Sequence, residues 1–106
     1  MGAITKESAD LRNALAAHRP ALDQVLTRYR ASNPGLFGSV ARGEATSGSD
    51  LDVLVDLDPN GGNELLRVAG IGEEFSRILH HRVDVVAPGL LRDAVSESAL
   101  AQAIDL

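Results

Sequence analysis

The 106-residue chain has no cysteine and no tryptophan, and only one tyrosine and two phenylalanines. Without cysteine there are neither disulfides nor thiolate metal sites, so stability makes no demand for an oxidising compartment. Aromatic poverty removes the stacking platform on which single-stranded nucleic acids and free bases are usually held. Basic residues are also scarce, ten against fifteen acidic ones for a net charge of -5, which opposes loose attraction to nucleic acid backbones and anionic membranes. No apolar run reaches the roughly eighteen residues of a membrane span, and Met1-Gly-Ala-Ile-Thr-Lys-Glu lacks the apolar core of a signal peptide. The expectation is a cytoplasmic protein that neither enters a membrane nor binds nucleic acid directly. With 44% hydrophobic and 24% charged residues, the composition is that of an ordinary globular chain. Its length suits one domain spanning residues 1–106, with no second substrate-binding unit.

From Ser8 to Arg30 the apolar residues Leu11, Leu15, Leu22, Val25, Leu26 and Tyr29 recur at helical spacing, and Arg19-Pro20 divides them into two helices, since proline suits a helix's first turn. Ala31-Ser-Asn-Pro-Gly35 is expected to be a turn leading into a brief strand at Leu36-Phe37. Leu51 to Leu57 alternates, with Leu51, Val53, Val55 and Leu57 on one face and Asp50, Asp52, Leu54 and Asp56 on the other. A helix capped by Asn63 carries Leu65, Leu66, Val68, Ala69, Ile71, Phe75, Ile78 and Leu79, with Gly70 and Gly72 weakening its middle. Arg82 to Ala87 reads as a strand and Leu90 to Leu106 as a helical tail. These elements predict an α+β fold, a small mixed β-sheet flanked by helices.

Chemistry concentrates in Gly38-Ser-Val-Ala-Arg-Gly-Glu-Ala-Thr-Ser-Gly-Ser-Asp-Leu-Asp52, where a Gly-Ser turn is followed, after ten residues, by Asp-x-Asp on a strand. Asp50 and Asp52 leave the same face about 7 Å apart at Cα. Carboxylates so placed suit divalent ions, and a pair of metals about 4 Å apart is a recurring clamp for in-line attack at phosphorus. Hard oxygen donors select Mg²⁺ or Mn²⁺ over zinc. Gly38 allows close approach of a phosphate, Ser39 offers a hydroxyl and N–H groups at a helix start, and Arg42 lies one turn on, able to clamp a phosphate oxygen. Gly43 lets the chain turn away. Asp84, held between Val83 and Val85 on the later strand, is the candidate general base. Three carboxylates this close require cations between them.

Gly38-Ser39, the ten-residue interval, Asp50-x-Asp52 and the later Asp84 resemble the signature of the polymerase-beta-like nucleotidyltransferases. Gly-Ser-Val-Ala-Arg-Gly-Glu-Ala and Ser-Asp-Leu-Asp-Val-Leu-Val are closely similar to the minimal nucleotidyltransferases that act as antitoxins to HEPN-domain ribonuclease toxins. Ser47-Gly48 stands where such relatives often carry proline and an acidic residue, a departure confined to the loop. The resemblance implies a nucleotidyltransferase fold that moves AMP from ATP to a tyrosine of a HEPN toxin and silences it. It also implies a triphosphate on Gly38, Ser39 and Arg42, two Mg²⁺ ions (or Mn²⁺) on Asp50, Asp52 and Asp84, and a hetero-oligomer with the toxin.

Blander readings compete at each position. Asp-x-Asp alone is common on solvated strands, and only its spacing from Gly-Ser makes the metal reading the stronger. Asp56 and Asp58 read as edge or loop charges, Glu73-Glu74 and Asp93 as solvated helix faces, and Tyr29 as core. His80-His81 reads as a helix-end cap rather than zinc ligands, because adjacent histidines point apart, and His18 as a charge at a helix C-terminus. Two other functions stay open: an antitoxin that acts by occlusion alone, and transfer to a small-molecule acceptor, for which the chain has no additional pocket-forming domain.

Overall fold

A computed structural model of the chain describes residues 4–88 and the backbone of Ile104–Asp105. Helix α1, Lys6–Ala17, is capped by Thr5, whose hydroxyl oxygen accepts from the Ser8 N–H, and α2, Arg19–Arg28, carries proline in its first turn as the sequence predicts. Leu15, Leu22, Val25 and Leu26 are buried, and Leu11 and Tyr29 pack against them. Strand β1, Ala31–Phe37, leads into the short helix α3, Gly38–Arg42. Strand β2, Leu51–Leu57, is followed by α4, Glu64–Leu79, and then by β3, Val83–Val86. Strand β4 is Ile104–Asp105.

The four strands lie in the order β3-β2-β1-β4. β1 runs antiparallel to β2 and to β4, and β3 runs parallel to β2, so the sheet is mixed as expected. α4 makes the crossover between the two parallel strands, as parallel pairing requires. Leu51, Val53 and Val55 are fully buried and meet Ile71 and Phe75 of α4 in one core cluster. On the other face Leu54 is also buried, at 6% exposure, so the acidic face of β2 is apolar at its centre.

Three sequence expectations require correction. The turn-like segment Ala31–Gly35 belongs to β1: its pairing with β2 slips between Ser32 and Gly35, a bulge that takes up Asn33 at φ 50 and Pro34. Asparagine tolerates that left-handed conformation, and a bulge spares proline the ladder bond it cannot donate. The carboxyl-terminal tail is not helical at Ile104–Asp105, which pairs with Leu36 and Gly35; the remainder of that predicted helix, with Asp93, lies outside the described residues. Glu74 is not merely solvated, because it pairs with Arg28 and accepts from the Tyr29 hydroxyl. That bond raises the phenol above its ordinary pKa and, with Arg28, holds the carboxyl below its own.

The glycines of α4 are explained by contact. A Cβ at Gly70 would fall 2.6 Å from the Tyr29 ring, so a larger residue there would displace that ring. Gly72 is buried against the Val83 carbonyl and Val85.

Arg67, 6% exposed, joins four segments. Its Nε and Nη2 donate to the Tyr29 carbonyl at 2.9 and 2.8 Å, Nη2 also to the Arg30 carbonyl at 2.8 Å, and Nη1 to the Asp58 carbonyl at 2.8 Å. The end of α2, the start of β1, the loop after β2 and α4 are thereby fixed together. Arg30 and Asp58 retain backbone donors, Asp58 N–H and Gly61 N–H, when the guanidinium is removed, whereas Tyr29 loses both of its bonds from Arg67. Arg67→Leu is therefore expected to lower unfolding free energy by about 2–3 kcal/mol in urea titration. Lysine, which lacks the planar fork, should recover little of that loss.

Candidate active site

Register places the predicted residues. Asp52 lies opposite Phe37 of β1 on one side and opposite Asp84 of β3 on the other. Neighbouring strands are about 4.8 Å apart, so the end of β1, Asp52 and Asp84 form one row across the sheet. Val83 and Val85 are buried while Asp84 is exposed, as alternation demands. Phe37 is extended and Gly38 turns sharply at φ 73, starting α3 beside the row. The Gly38 Cα sits directly against the Asp52 carboxylate: a Cβ there would collide with Oδ2. Glycine is needed twice, for its backbone conformation and for this approach. Ser39 is half-buried in the first turn of α3.

α3 is only five residues long and is held from outside. Arg12 of α1 donates from Nη2 to the Val40 and Ala41 carbonyls at 2.9 and 2.8 Å, at the end where a short helix leaves carbonyls without a full set of donors. Gly43, at φ 74, closes α3 and lets the chain turn away, as read from the sequence. The following loop is stitched to α1: Thr5 N–H donates to the Gly43 carbonyl at 2.9 Å, the Thr5 hydroxyl to the Ala45 carbonyl at 2.7 Å, and Ala45 N–H to the buried Ser8 hydroxyl at 2.9 Å. Its far end is fixed by the His81 Nε2 bond to the Ser49 carbonyl, 2.8 Å, and by Leu51 N–H donating to the Arg82 carbonyl, 3.0 Å. His80 takes the left-handed cap of α4, in keeping with a helix-end role.

Asp50 is next in line after the Leu51–Val83 pair, and so faces Arg82, 3.6 Å from Nε. Arg42 is exposed and pairs with Glu44 at 3.1 Å, yet lies close enough to Asp52 to favour its ionised form. The net effect on Asp52 is nevertheless the reverse. Burial, then the charges of Asp84 and Asp50, raise its pKa above the ordinary carboxylate value. The three carboxylates share one end of the sheet without meeting at a point: among the described residues no three acidic, histidine or cysteine side chains converge as ready ligands. An all-oxygen donor set fits a hard divalent cation, whose charge would offset the mutual repulsion that, with burial, raises Asp52 and would favour the ionised carboxylate that ligation needs.

Sequence reasoning missed Arg12, His81 and Arg82. Arg82 was detectable, being two residues before Asp84 and on the same strand face. Arg12 and His81 act across chain separations of about thirty residues and carry no local signal. Asp56 is exposed but accepts from Asn33 Nδ2 in the β1 bulge at 3.0 Å, and Asp58 Oδ1 accepts from Asn60 N–H in the following loop at 2.9 Å, both bonds within the scaffold.

Residues 19–106 match the family described as the nucleotidyltransferase domain. The chain belongs to that family. A protein of Thermococcus cleftensis named protein adenylyltransferase MntA is 31% identical over 98% of both chains. A provisionally named protein adenylyltransferase of Methanocaldococcus jannaschii is 31% identical over 76% of this chain and 78% of its own. A solved structure, described provisionally as a minimal nucleotidyltransferase, superposes with a TM-score of 0.75 at 37% identity, covering 89% of this chain and 94% of that one. The similarity to minimal nucleotidyltransferases read from the motifs is thus matched in sequence and in fold, and the protein is a nucleotidyltransferase. No helix among the described residues is long and apolar enough to cross a membrane.

Because the fold raises the pKa of Asp52, its ionisation opposes folding. In chelator, stability should increase as pH falls through the folded-state pKa towards the ordinary value of 3.8, and this gain should be absent from Asp52→Asn. At neutral pH that variant is expected to melt about 2–4 °C above wild type by calorimetry. Gly38→Ala should have the opposite effect, a loss of about 1–2 kcal/mol from the left-handed backbone alone, read in the same melts.

Proposed function

We propose that this nucleotidyltransferase moves AMP from ATP to a tyrosine hydroxyl of a HEPN-domain ribonuclease toxin and so acts as its antitoxin. The observation that carries the reading is the Asp52–Asp84 pair in register beside the Gly38-Ser39 turn, with Asp50 two residues upstream. The protein acceptor is supported by the relatives, which are named protein adenylyltransferases. The toxin and its tyrosine follow from the motif resemblance.

Asp50, Asp52 and Asp84 are the residues that would hold divalent cations, Mg²⁺ or Mn²⁺. When bound, these ions neutralise triphosphate charge and lower the pKa of an attacking hydroxyl. The Gly38 turn and the Ser39 hydroxyl cradle the triphosphate, and Arg42 adds a guanidinium to its oxygens. Asp84, the most exposed of the row, accepts the proton of the acceptor hydroxyl. The hydroxyl oxygen forms a bond to the α-phosphorus while the bond from that phosphorus to the bridging oxygen breaks, and pyrophosphate leaves with the electron pair. Products are the AMP ester on the acceptor and pyrophosphate.

Incubation with Mg²⁺, ATP and a HEPN-domain protein from the same genome tests this by intact mass. The acceptor should gain whole AMP units. Asp52→Asn should abolish the gain, and Asp84→Asn should slow it at least about 100-fold while ATP is still bound. If wild type and Asp52→Asn leave the mass unchanged and neutralise the ribonuclease equally, neutralisation is by occlusion.

A further inference from the structure

The left-handed glycine turn that closes α3 serves only part of its carbonyls. Glu44 N–H donates back to the Ser39 carbonyl at 2.8 Å and Gly43 N–H to the Val40 carbonyl at 3.1 Å, the paired bonds by which glycine commonly ends a helix. The Ala41 carbonyl comes next, and a continued helix would serve it from the Ala45 N–H. That N–H goes to the Ser8 hydroxyl instead, and Arg12 Nη2 supplies the Ala41 carbonyl while adding a second donor to Val40. Arg12 gains little else from its position. It is half-buried, and among the described residues no carboxylate pairs with it and its buried Nε has no acceptor. A buried donor without an acceptor costs stability, so stability alone does not account for an arginine here.

We propose that Arg12 is a positioning residue for the nucleotide: its bonds to the last turn of α3 hold the Ser39 hydroxyl and the Arg42 guanidinium against the triphosphate. The proposal rests on the reading that places the triphosphate on these residues, and adds what keeps them there. Gly38 lies against Asp52, and Val40, fully buried, fixes the depth of the helix. Beyond Val40 the chain is held from α1, by Thr5 on the Gly43 carbonyl and by Arg12 on the carbonyls of α3 itself. Arg42 belongs to that last turn, and Ser39 is tied to it through the Glu44 bond, so both shift when Arg12 is removed. Charge acts in the same direction. At 1.5 Å per residue the five-residue helix is about 7.5 Å long, within the roughly 10 Å over which a charge is felt in dilute salt, so the guanidinium still attracts a polyanion at the Ser39 end. Arg12 bonds α3 and nothing on β3, where Asp84 stands, so its loss falls on the nucleotide and not on the acceptor.

The test uses the full chain, Mg²⁺–ATP as the probe and the HEPN-domain protein of the transfer assay, at a temperature where melts show each variant folded. Calorimetry gives dissociation constants, and AMP transfer followed by mass gives KM and kcat. Arg12→Met should weaken Mg²⁺–ATP and raise the ATP KM about tenfold or more, with kcat at saturating ATP and the acceptor KM within about twofold of wild type. Arg12→Lys, which keeps the charge but not the planar fork, should fall between, about threefold or more from wild type. Arg77→Met, which removes an equal charge from an exposed position on α4, should bind ATP like wild type. An arginine that merely braced the fold would lower the melting temperature and leave the ATP KM in place; that result overturns the proposal, as does a loss confined to kcat or to the acceptor KM. Should Arg12→Met not fold, Arg12→Lys decides alone, and ATP binding of wild-type strength by that variant overturns the proposal. If ATP binding falls as expected but wild type moves no AMP to the HEPN-domain protein, the positioning role stands and the adenylylation reading falls. If wild type transfers AMP and Arg12→Met does so at an unchanged ATP KM, the role falls and the reading stands.

Discussion

The placement of β2 between an antiparallel and a parallel neighbour is the constraint on which both the core and the site depend. Antiparallel pairing brings the end of β1, and with it the Gly38 turn, to the start of β2; parallel pairing brings the start of β3 to the same end. Three segments distant in sequence meet there because two different pairing senses meet on one strand. Register is enforced by burial: Leu51, Val53, Val55, Val83 and Val85 all face the core, and each is worth about 1.5–3 kcal/mol when buried. A slip of one residue would turn them outward and the carboxylates inward. That penalty far exceeds the repulsion between Asp52 and Asp84 in a partly solvated setting, so the apolar residues hold the acidic row in place.

The site is thus a local electrostatic defect supported by the surrounding packing. Its supports are mostly dipoles and single cations: Arg12 on the end carbonyls of α3, Arg82 facing Asp50, His81 on the Ser49 carbonyl. None needs Asp52 to be comfortable. A carboxylate raised in pKa by burial and by two acidic neighbours is more readily understood as prepared for cationic company than as an element of the fold.

Much of this was legible in the sequence where the signal is periodic or local. The alternation of Leu51–Leu57 and the Pro20 break gave the correct faces and helices, and the Asn63 cap is observed with its oxygen accepting from the Leu66 N–H at 3.0 Å. Composition misled at Ala31–Gly35, because a bulge uses the same residues as a turn and differs only in having a partner strand. Gly70 and Gly72 looked like helix weaknesses, since propensity is a local quantity whereas the contacts with Tyr29 and Val83 are not. Leu65 and Leu66 were placed on the apolar run of α4, although they lie beyond the point where its buried stripe begins, at Val68. Spacing named the carboxylates, but the register that sets Asp52 against Asp84 and leaves Asp50 beside Arg82 carries no local signal, because it joins strands brought together only by folding.

The hydrogen bonds from Thr5 and Ser8 to residues 43–45 have a further meaning for anyone handling the molecule. The same loop continues to Asp50, so the amino-terminal end of α1 and that carboxylate are mechanically coupled. Tension applied before Thr5, by a surface tether or a bulky fusion, would load that stitch and the start of the loop that carries Asp50. An attachment point that is innocuous in most small proteins is here a lever on the site.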